Sequence, residues 1–307
     1  MKKFLVFIIL LLILLSLSNC ENKKDFSVIV PSGTPSLGLA NFIKDYEENV
    51  DIVLGSSPLV AAFTSENYDI VVAPINLGVK FYNSVENFNY TLYRTIVSGN
   101  YYILSTENID SIEDLNNKEI IVFSPNATPD IMIRSLLSYY NVNAIINYVD
   151  NVSIANSMLL SNQTNIILSA EPSATVINAN HDYNSFSLQE AWASMSGNNY
   201  VVPQAGIFVN NNVLCDETIE RALDRMIASI DMSVNNIEQL ADDAIQIDNG
   251  FANVGKEKLI IAIPRCNFVT RIVRKEEIEF YLNKLLELNM GAGIGEKLPD
   301  EEFYKNL

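Results

Sequence analysis

Short runs rich in Val and Ile, each ended by Pro, Gly or Ser, alternate along this chain with stretches whose apolar residues recur at helical spacing. Residues 26–30, 50–54 and 69–73 are of the first kind and predict strands. Residues 37–46, 59–64 and 76–82 predict short helices between and after them. This β-α-β-α-β-α order predicts a parallel sheet covered by helices. A second cycle begins near residue 107. It has a helical lead-in over 109–115, strands at 119–123, 144–148 and 165–168, and helices at 128–140, 153–160 and 171–179. After a return strand at 206–209 the chain turns mainly helical. Ile219, Leu223, Met226, Ile227 and Ile230 form one apolar stripe, and Ile278, Leu282, Leu285 and Leu286 another, both read as core-facing. Two α/β lobes followed by helices predict that one lobe interrupts the other. The expected boundaries are 26–104 plus 208–307 for lobe 1 and 105–207 for lobe 2, with crossovers near 103–105 and 204–206 acting as a hinge.

The first twenty residues follow a different pattern. Lys2 and Lys3 precede twelve consecutive apolar residues at 4–15, then Ser16, Leu17, Ser18, Asn19 and Cys20. Twelve is well short of the roughly 20 residues that span a bilayer, and fits the apolar region of a signal peptide. Leu17-Ser18-Asn19-Cys20 resembles a lipobox, in which the cysteine thiol receives a diacylglycerol and the preceding peptide bond is cut. Asn19 departs from that pattern, since Gly, Ala or Ser is commoner there. The expectation is a lipoprotein signal peptide at 1–19, lipidation of Cys20 and a polar tether at 20–25. An ordinary signal peptide or an uncleaved anchor is the alternative.

Charge then narrows the partners. Removing residues 1–19 takes away two lysines and no acidic residue, leaving 18 basic against 37 acidic side chains, a formal charge of −19. Such a surface repels phosphate backbones and anionic headgroups, so no nucleic-acid partner is expected and membrane attachment falls to the lipid on Cys20. Beyond Cys20 the cysteines are Cys215 and Cys266. An exported location permits a disulfide between them, and two free thiols are the other reading. Their spacing fits no metal-finger pattern, and the single His181 has no partner for a metal site, so no metal or cofactor is expected.

In open α/β sheets ligands bind beyond the carboxyl ends of strands, often at helix N-termini. The segments in those places are 31–35, 55–58 and 74–76 in lobe 1, and 124–129 and 169–172 in lobe 2. All are small, polar and Pro- or Gly-containing, which exposes backbone N–H groups and admits close approach. Any one of them is ordinary for such a loop; five across two lobes predict a cleft. None carries Lys or Arg, which favours a neutral, cationic or weakly anionic ligand. Glu171, the acidic member, is suited either to an amine or ring N–H or to the first turn of its own helix. Tyr101, Tyr102 and Trp192 are candidates for stacking on a flat ligand, with core packing as the alternative. There is no G-x-S-x-G elbow, no P-loop and no defensible carboxylate pair, so no catalytic residue is assigned. Gly291-Ala292-Gly293-Ile294-Gly295 has no βαβ unit around it and is read as a surface turn.

Several segments resemble one family in the same order along the chain. Residues 31–40 (PSGTPSLGLA) and 68–77 (YDIVVAPINL), followed by Lys80 and Tyr82, are similar to the opening of substrate-binding proteins of ABC importers in the nitrate/sulfonate/thiamine-precursor group. So are 111–115 (SIEDL), 120–123, 128–130 (TPD), 170–175 (AEPSAT), 202–206 (VPQAG) and the tail 294–304. The resemblance implies an α/β, two-lobed type 2 periplasmic-binding fold. Each lobe would be a mostly parallel sheet flanked by helices, joined by two crossovers. It implies Ser32, Gly33, Thr34, Ser56, Ser57, Asn76, Asn100, Thr128 and Glu171 as ligand-binding residues. It also implies a small-molecule ligand, permease and ATPase partners on other chains, a monomeric state, and a lipid-anchored place outside the cytoplasm. The rival readings are a non-transport lipoprotein sensor or surface interaction module on the same fold, and a pyrimidine-precursor enzyme. The enzyme needs an active-site histidine and clustered cysteines, which this sequence does not supply. Which small molecule is bound does not follow from the resemblance.

Overall fold

The computed structural model describes residues 25–307, so the signal segment and Cys20 lie outside the described residues. Sheet A contains β1 (Val28–Pro31), β2 (Val50–Val53), β3 (Ile70–Pro74), β4 (Tyr90–Ser98) and β10 (Pro203–Asn210), in the order β2-β1-β3-β10-β4. Sheet B contains β5 (Tyr101–Ser105), β6 (Glu119–Phe123), β7 (Ile145–Val149), β8 (Ile166–Ala170) and β9 (Asn184–Ser187), in the order β7-β6-β8-β5-β9. The two orders are equivalent, so the lobes repeat one design.

Each sheet is mixed. In sheet A, β1 pairs parallel with β2 and β3, whereas β10 runs antiparallel to β3 and β4. In sheet B, β6 pairs parallel with β7 and β8, and β5 antiparallel with β8 and β9. The sequence pattern predicts the parallel strands and misses β4, β5 and β9. The chain leaves sheet A along β4, enters sheet B along β5 and returns along β10; β5 and β10 run opposite to the parallel strands of their sheets, and the edge strands β4 and β9 pair antiparallel with β10 and β5. β4 and β5 are buried on both faces over most of their length, so they lack the alternation that marks a half-buried strand.

Helices cover both sheets. They are α1 (Thr34–Gly38), α2 (Ala40–Asp45), α3 (Ser57–Ser65), α4 (Ile75–Ser84), α5 (Thr128–Tyr139), α6 (Val152–Leu160), α7 (Ser173–Asn178) and α8 (Leu188–Ser196). A C-terminal set follows: α9 (Glu217–Asn235), α10 (Ile237–Ile247), α11 (Asn249–Val254), α12 (Lys256–Ala262) and α13 (Lys275–Glu287). α9 begins where the Asp216 side chain accepts the Thr218 N–H, and its Ile219, Leu223, Met226 and Ile230 are buried against sheet A. α4 lies very close to its sheet: a Cβ on Gly78 would fall 2.2 Å from the Phe208 ring.

Two features of the C-terminal half reach across the lobes. α13 falls within the residues expected to complete lobe 1, and it packs on lobe 2 as well as on lobe 1. Its Phe280 and Tyr281 rings lie 5.6 and 6.2 Å from Trp192 of α8. The turn Gly291–Ile294 then returns to lobe 1, where Asn83 of α4 donates to the carbonyls of Ile294 and Lys297 at 2.6 and 2.8 Å. Gly291 and Ile294 are buried there and Ala292 is exposed, so this glycine-rich stretch is a turn at the surface with two residues packed inward. Cys215 and Cys266 are both free thiols, the first exposed and the second buried. Among the described residues no helix is long and apolar enough to cross a membrane.

Candidate functional site

Between the sheets lies a cavity of about 390 Å³. Its lobe 1 wall is built from Pro31, Pro35, Ser56, Pro74, Asn76, Leu77, Gln204 and Ala205. Its lobe 2 wall is Tyr101, Phe123, Ser124, Ala127, Thr128 and Pro129. Two other hollows, of about 350 and 390 Å³, each draw on one lobe only.

The wall residues sit where β-strands hand over to helices. β1, β3 and β6 end at this face, and the helices after them start there. Ser56 is the N-cap position of α3, Asn76 lies in the first turn of α4, and Thr128 opens α5. The loop before α5 is held by a buried carboxylate. Asp130 accepts the Asn126 N–H at 2.9 Å and the Tyr148 hydroxyl at 2.7 Å. β5 and β10 contribute from their first residues, because both start beside the crossovers: Tyr101 on one, Gln204 and Ala205 on the other.

Of the nine residues expected to bind ligand, Ser56, Asn76 and Thr128 line the cavity. Ser57 is exposed just beyond Ser56, at the start of α3. Ser32 turns to Asp248, with its hydroxyl 3.3 Å from that carboxylate. Gly33 adopts φ +105°, a conformation that disfavours any side chain, and so turns the chain into α1. Thr34, Asn100 and Glu171 come together in a buried clasp between the lobes. The Thr34 hydroxyl donates to the Glu171 carbonyl at 3.0 Å. Asn100 Nδ2 donates to the Thr34 hydroxyl at 2.5 Å and to the same carbonyl at 3.2 Å.

The Glu171 carboxylate is occupied. It accepts the backbone N–H and hydroxyl of Thr175 at 3.1 and 3.0 Å, fixing the first turn of α7. It also pairs with Arg265 Nε at 2.5 Å. Arg265 comes from the turn Ile263–Cys266, reaches Ser185 with Nη2 at 2.8 Å, and lays its guanidinium 4.1 Å from the Tyr102 ring centroid. Reading strand ends misses this cation. Its one sequence signal is a lone Arg in the apolar run Leu259-Ile260-Ile261-Ala262-Ile263-Pro264-Arg265-Cys266. Of the three stacking candidates, Tyr101 reaches the cavity. Tyr102 packs under Arg265, and Trp192 is wholly buried in the core.

The cavity is therefore polar at a few points and apolar elsewhere, with no charged side chain among the described residues that line it. Burial raises the Tyr101 phenol above its ordinary pKa, so it stays an O–H group at any ordinary pH. The cavity lining, among the described residues, holds neither an activated nucleophile nor a placed acid–base pair.

Comparison with solved structures agrees with this geometry. An ABC transporter structure from Parabacteroides distasonis superposes with a TM-score of 0.75 at 18% identity, over 92% of this chain and 98% of that one. The chain has the periplasmic binding protein fold. The periplasmic aliphatic sulphonate binding protein of Escherichia coli shares it at a TM-score of 0.63 and 8% identity, with 91% and 98% coverage. A Candida albicans gene product, described as defining a new family with the generic periplasmic binding protein fold, matches at 0.53 and 14%, with 92% and 94% coverage. No protein-family model matches the sequence, and no curated protein matches it.

Proposed function

We propose that the protein is an extracytoplasmic solute-binding lipoprotein that captures a small organic molecule between its lobes and delivers it to an ABC permease. The observation that carries this is a cavity built from both lobes, with Ser56 and Asn76 facing Thr128 across it. A ligand touching both walls gains contacts only when the lobes are together. Its differential affinity then shifts the hinge equilibrium towards the closed form. The permease would read that form, and the energy for transport would come from an ATPase on another chain. The binding proteins that share the fold, among them the sulphonate binder of Escherichia coli, support this reading. Lys2 and Lys3, the apolar run after them and the lipobox-like Leu17 to Cys20 support export and lipid anchoring.

Two experiments test it. Asn76→Ala and Thr128→Ala each remove a polar contact worth about 0.5–1.5 kcal/mol. Each is expected to weaken binding of the captured solute about two- to tenfold in calorimetry, with the folded state intact. Unchanged affinity in both removes the site assignment. Cys20→Ser is expected to move the protein from the membrane fraction to the soluble fraction after cell breakage. Retention in the membrane removes the lipid anchor.

A further inference from the structure

We infer that the cleft selects an uncharged, flat molecule carrying hydrogen-bond acceptors at its rim, which Gln204 and the Thr128 hydroxyl read as donors. This rests on solute capture in the cleft and adds the chemical class of the solute.

The first argument is about what the helix starts have lost. Thr34-Pro35, Ser57-Pro58 and Thr128-Pro129 occupy the first two positions of α1, α3 and α5. A helix grips an anion through free first-turn N–H groups. Proline has none, and puts ring methylenes in that place. Pro35 and Pro129 line the cavity, as do Pro31 and Pro74. With Leu77 and Phe123 they make apolar walls suited to the faces of a flat ring.

The second argument is electrostatic. Among the described residues no Lys, Arg, Asp or Glu lines the cavity, and Glu171, the acidic residue of the adjoining clasp, is paired with Arg265. An ion entering would be stripped of water and meet no opposite charge.

The third argument fixes the polarity of the hydrogen bonds. Tyr281 of α13 is fully buried outside the cavity, and its hydroxyl lies 3.2 Å from Thr128 Oγ1. Tyr281 donates its proton to Thr128, so the Thr128 hydroxyl keeps its own proton for the cavity that it lines. On the opposite wall, Gln204 Oε1 accepts the Asn100 N–H at 3.4 Å. Only the oxygen of an amide accepts, so the NH₂ end of Gln204 is the one left to serve a ligand. Donors therefore stand on both lobes, and a ligand whose acceptor lone pairs reach both walls bridges them.

The test uses three probes of one shape and different charge: benzamide, benzenesulfonate and benzylammonium, titrated into the purified protein and followed by amide NMR shifts. Benzamide is expected to shift residues on both walls and to bind at least tenfold more tightly than either ion. Thr128→Val and Gln204→Leu are each expected to weaken benzamide about three- to tenfold, by loss of one donor. Binding of the sulfonate or the ammonium in this cavity as tightly as benzamide overturns the inference and leaves solute capture standing. Absence of shifts at both walls with all three probes removes solute capture as well.

Discussion

Arg265→Met is expected to lower the unfolding free energy by about 3 kcal/mol, the lower end of the range for stranding a buried charge. The Glu171 side chain is fully buried, and Arg265 is the cation that meets it. Methionine keeps much of the arginine's apolar stem, so the loss reports the charge. The Thr175 hydrogen bonds remain, which places the loss at the lower end of that range. The same substitution removes the contact with Ser185 and the stacking on Tyr102, both on lobe 2. The double variant Arg265→Met, Glu171→Gln is expected to recover part of the loss, since a neutral amide costs less to bury than an unpaired carboxylate. Denaturant unfolding measures both. A loss below about 1 kcal/mol, the size of a surface pair, contradicts the role given to this ion pair.

Glu277 is expected to make the protein acid-sensitive in a defined window. Its side chain is 1% exposed, and burial alone would raise its pKa. Arg271 outweighs that with two bonds, Nη1 to Oε1 at 2.8 Å and Nη2 to Oε2 at 2.7 Å. The N–H groups of Arg274 and Val201 add bonds at 3.3 and 3.4 Å. The net result is a carboxyl held at about 2, against an ordinary 4.5. A depressed pKa means that the folded state holds the charged form better than the unfolded chain does. The stabilisation, about 3 kcal/mol, is present above pH 4.5 and lost as pH falls towards 2. Glu277→Gln should therefore be less stable than the parent by a constant amount from pH 5 to 8, with the gap closing between pH 4.5 and 2. A gap that is unchanged at pH 3 contradicts this account. Because Val201 lies in the return crossover, the bond also ties that crossover to α13.

How much of the site the sequence revealed depends on strand direction. Ser56, Asn76 and Thr128 were legible because they follow parallel strands, whose carboxyl ends face the cleft. Gln204 was not expected to bind ligand, because it opens an antiparallel return strand and reaches the cleft from the strand's beginning. Thr34 and Glu171, from strand-end loops, and Asn100, from the family resemblance, were expected to bind ligand. Their mutual contact depends on how the lobes meet, which no local pattern encodes. Arg265 and Tyr281 lie 94 and 153 residues from Glu171 and Thr128, the groups they touch. Helical periodicity identified Ile278, Leu282 and Leu285 as a buried stripe without saying which lobe buries it. The α/β alternation was readable throughout the parallel part of both sheets. β4 and β5 were hidden because burial on both faces removes their alternation, and β9, a half-buried edge strand, because Phe186 is its one apolar residue.

Capture of a solute between the lobes is tested most directly by filling the space it would occupy. Ala127 lines the cavity and has extended backbone that any side chain tolerates, so Ala127→Trp places an indole in the cleft. Parent and variant would be incubated with a small-molecule extract of the source cells and weighed intact by native mass spectrometry. The account predicts one small adduct per parent chain and none on the folded variant. No adduct on the parent, or the same adduct on both, contradicts it.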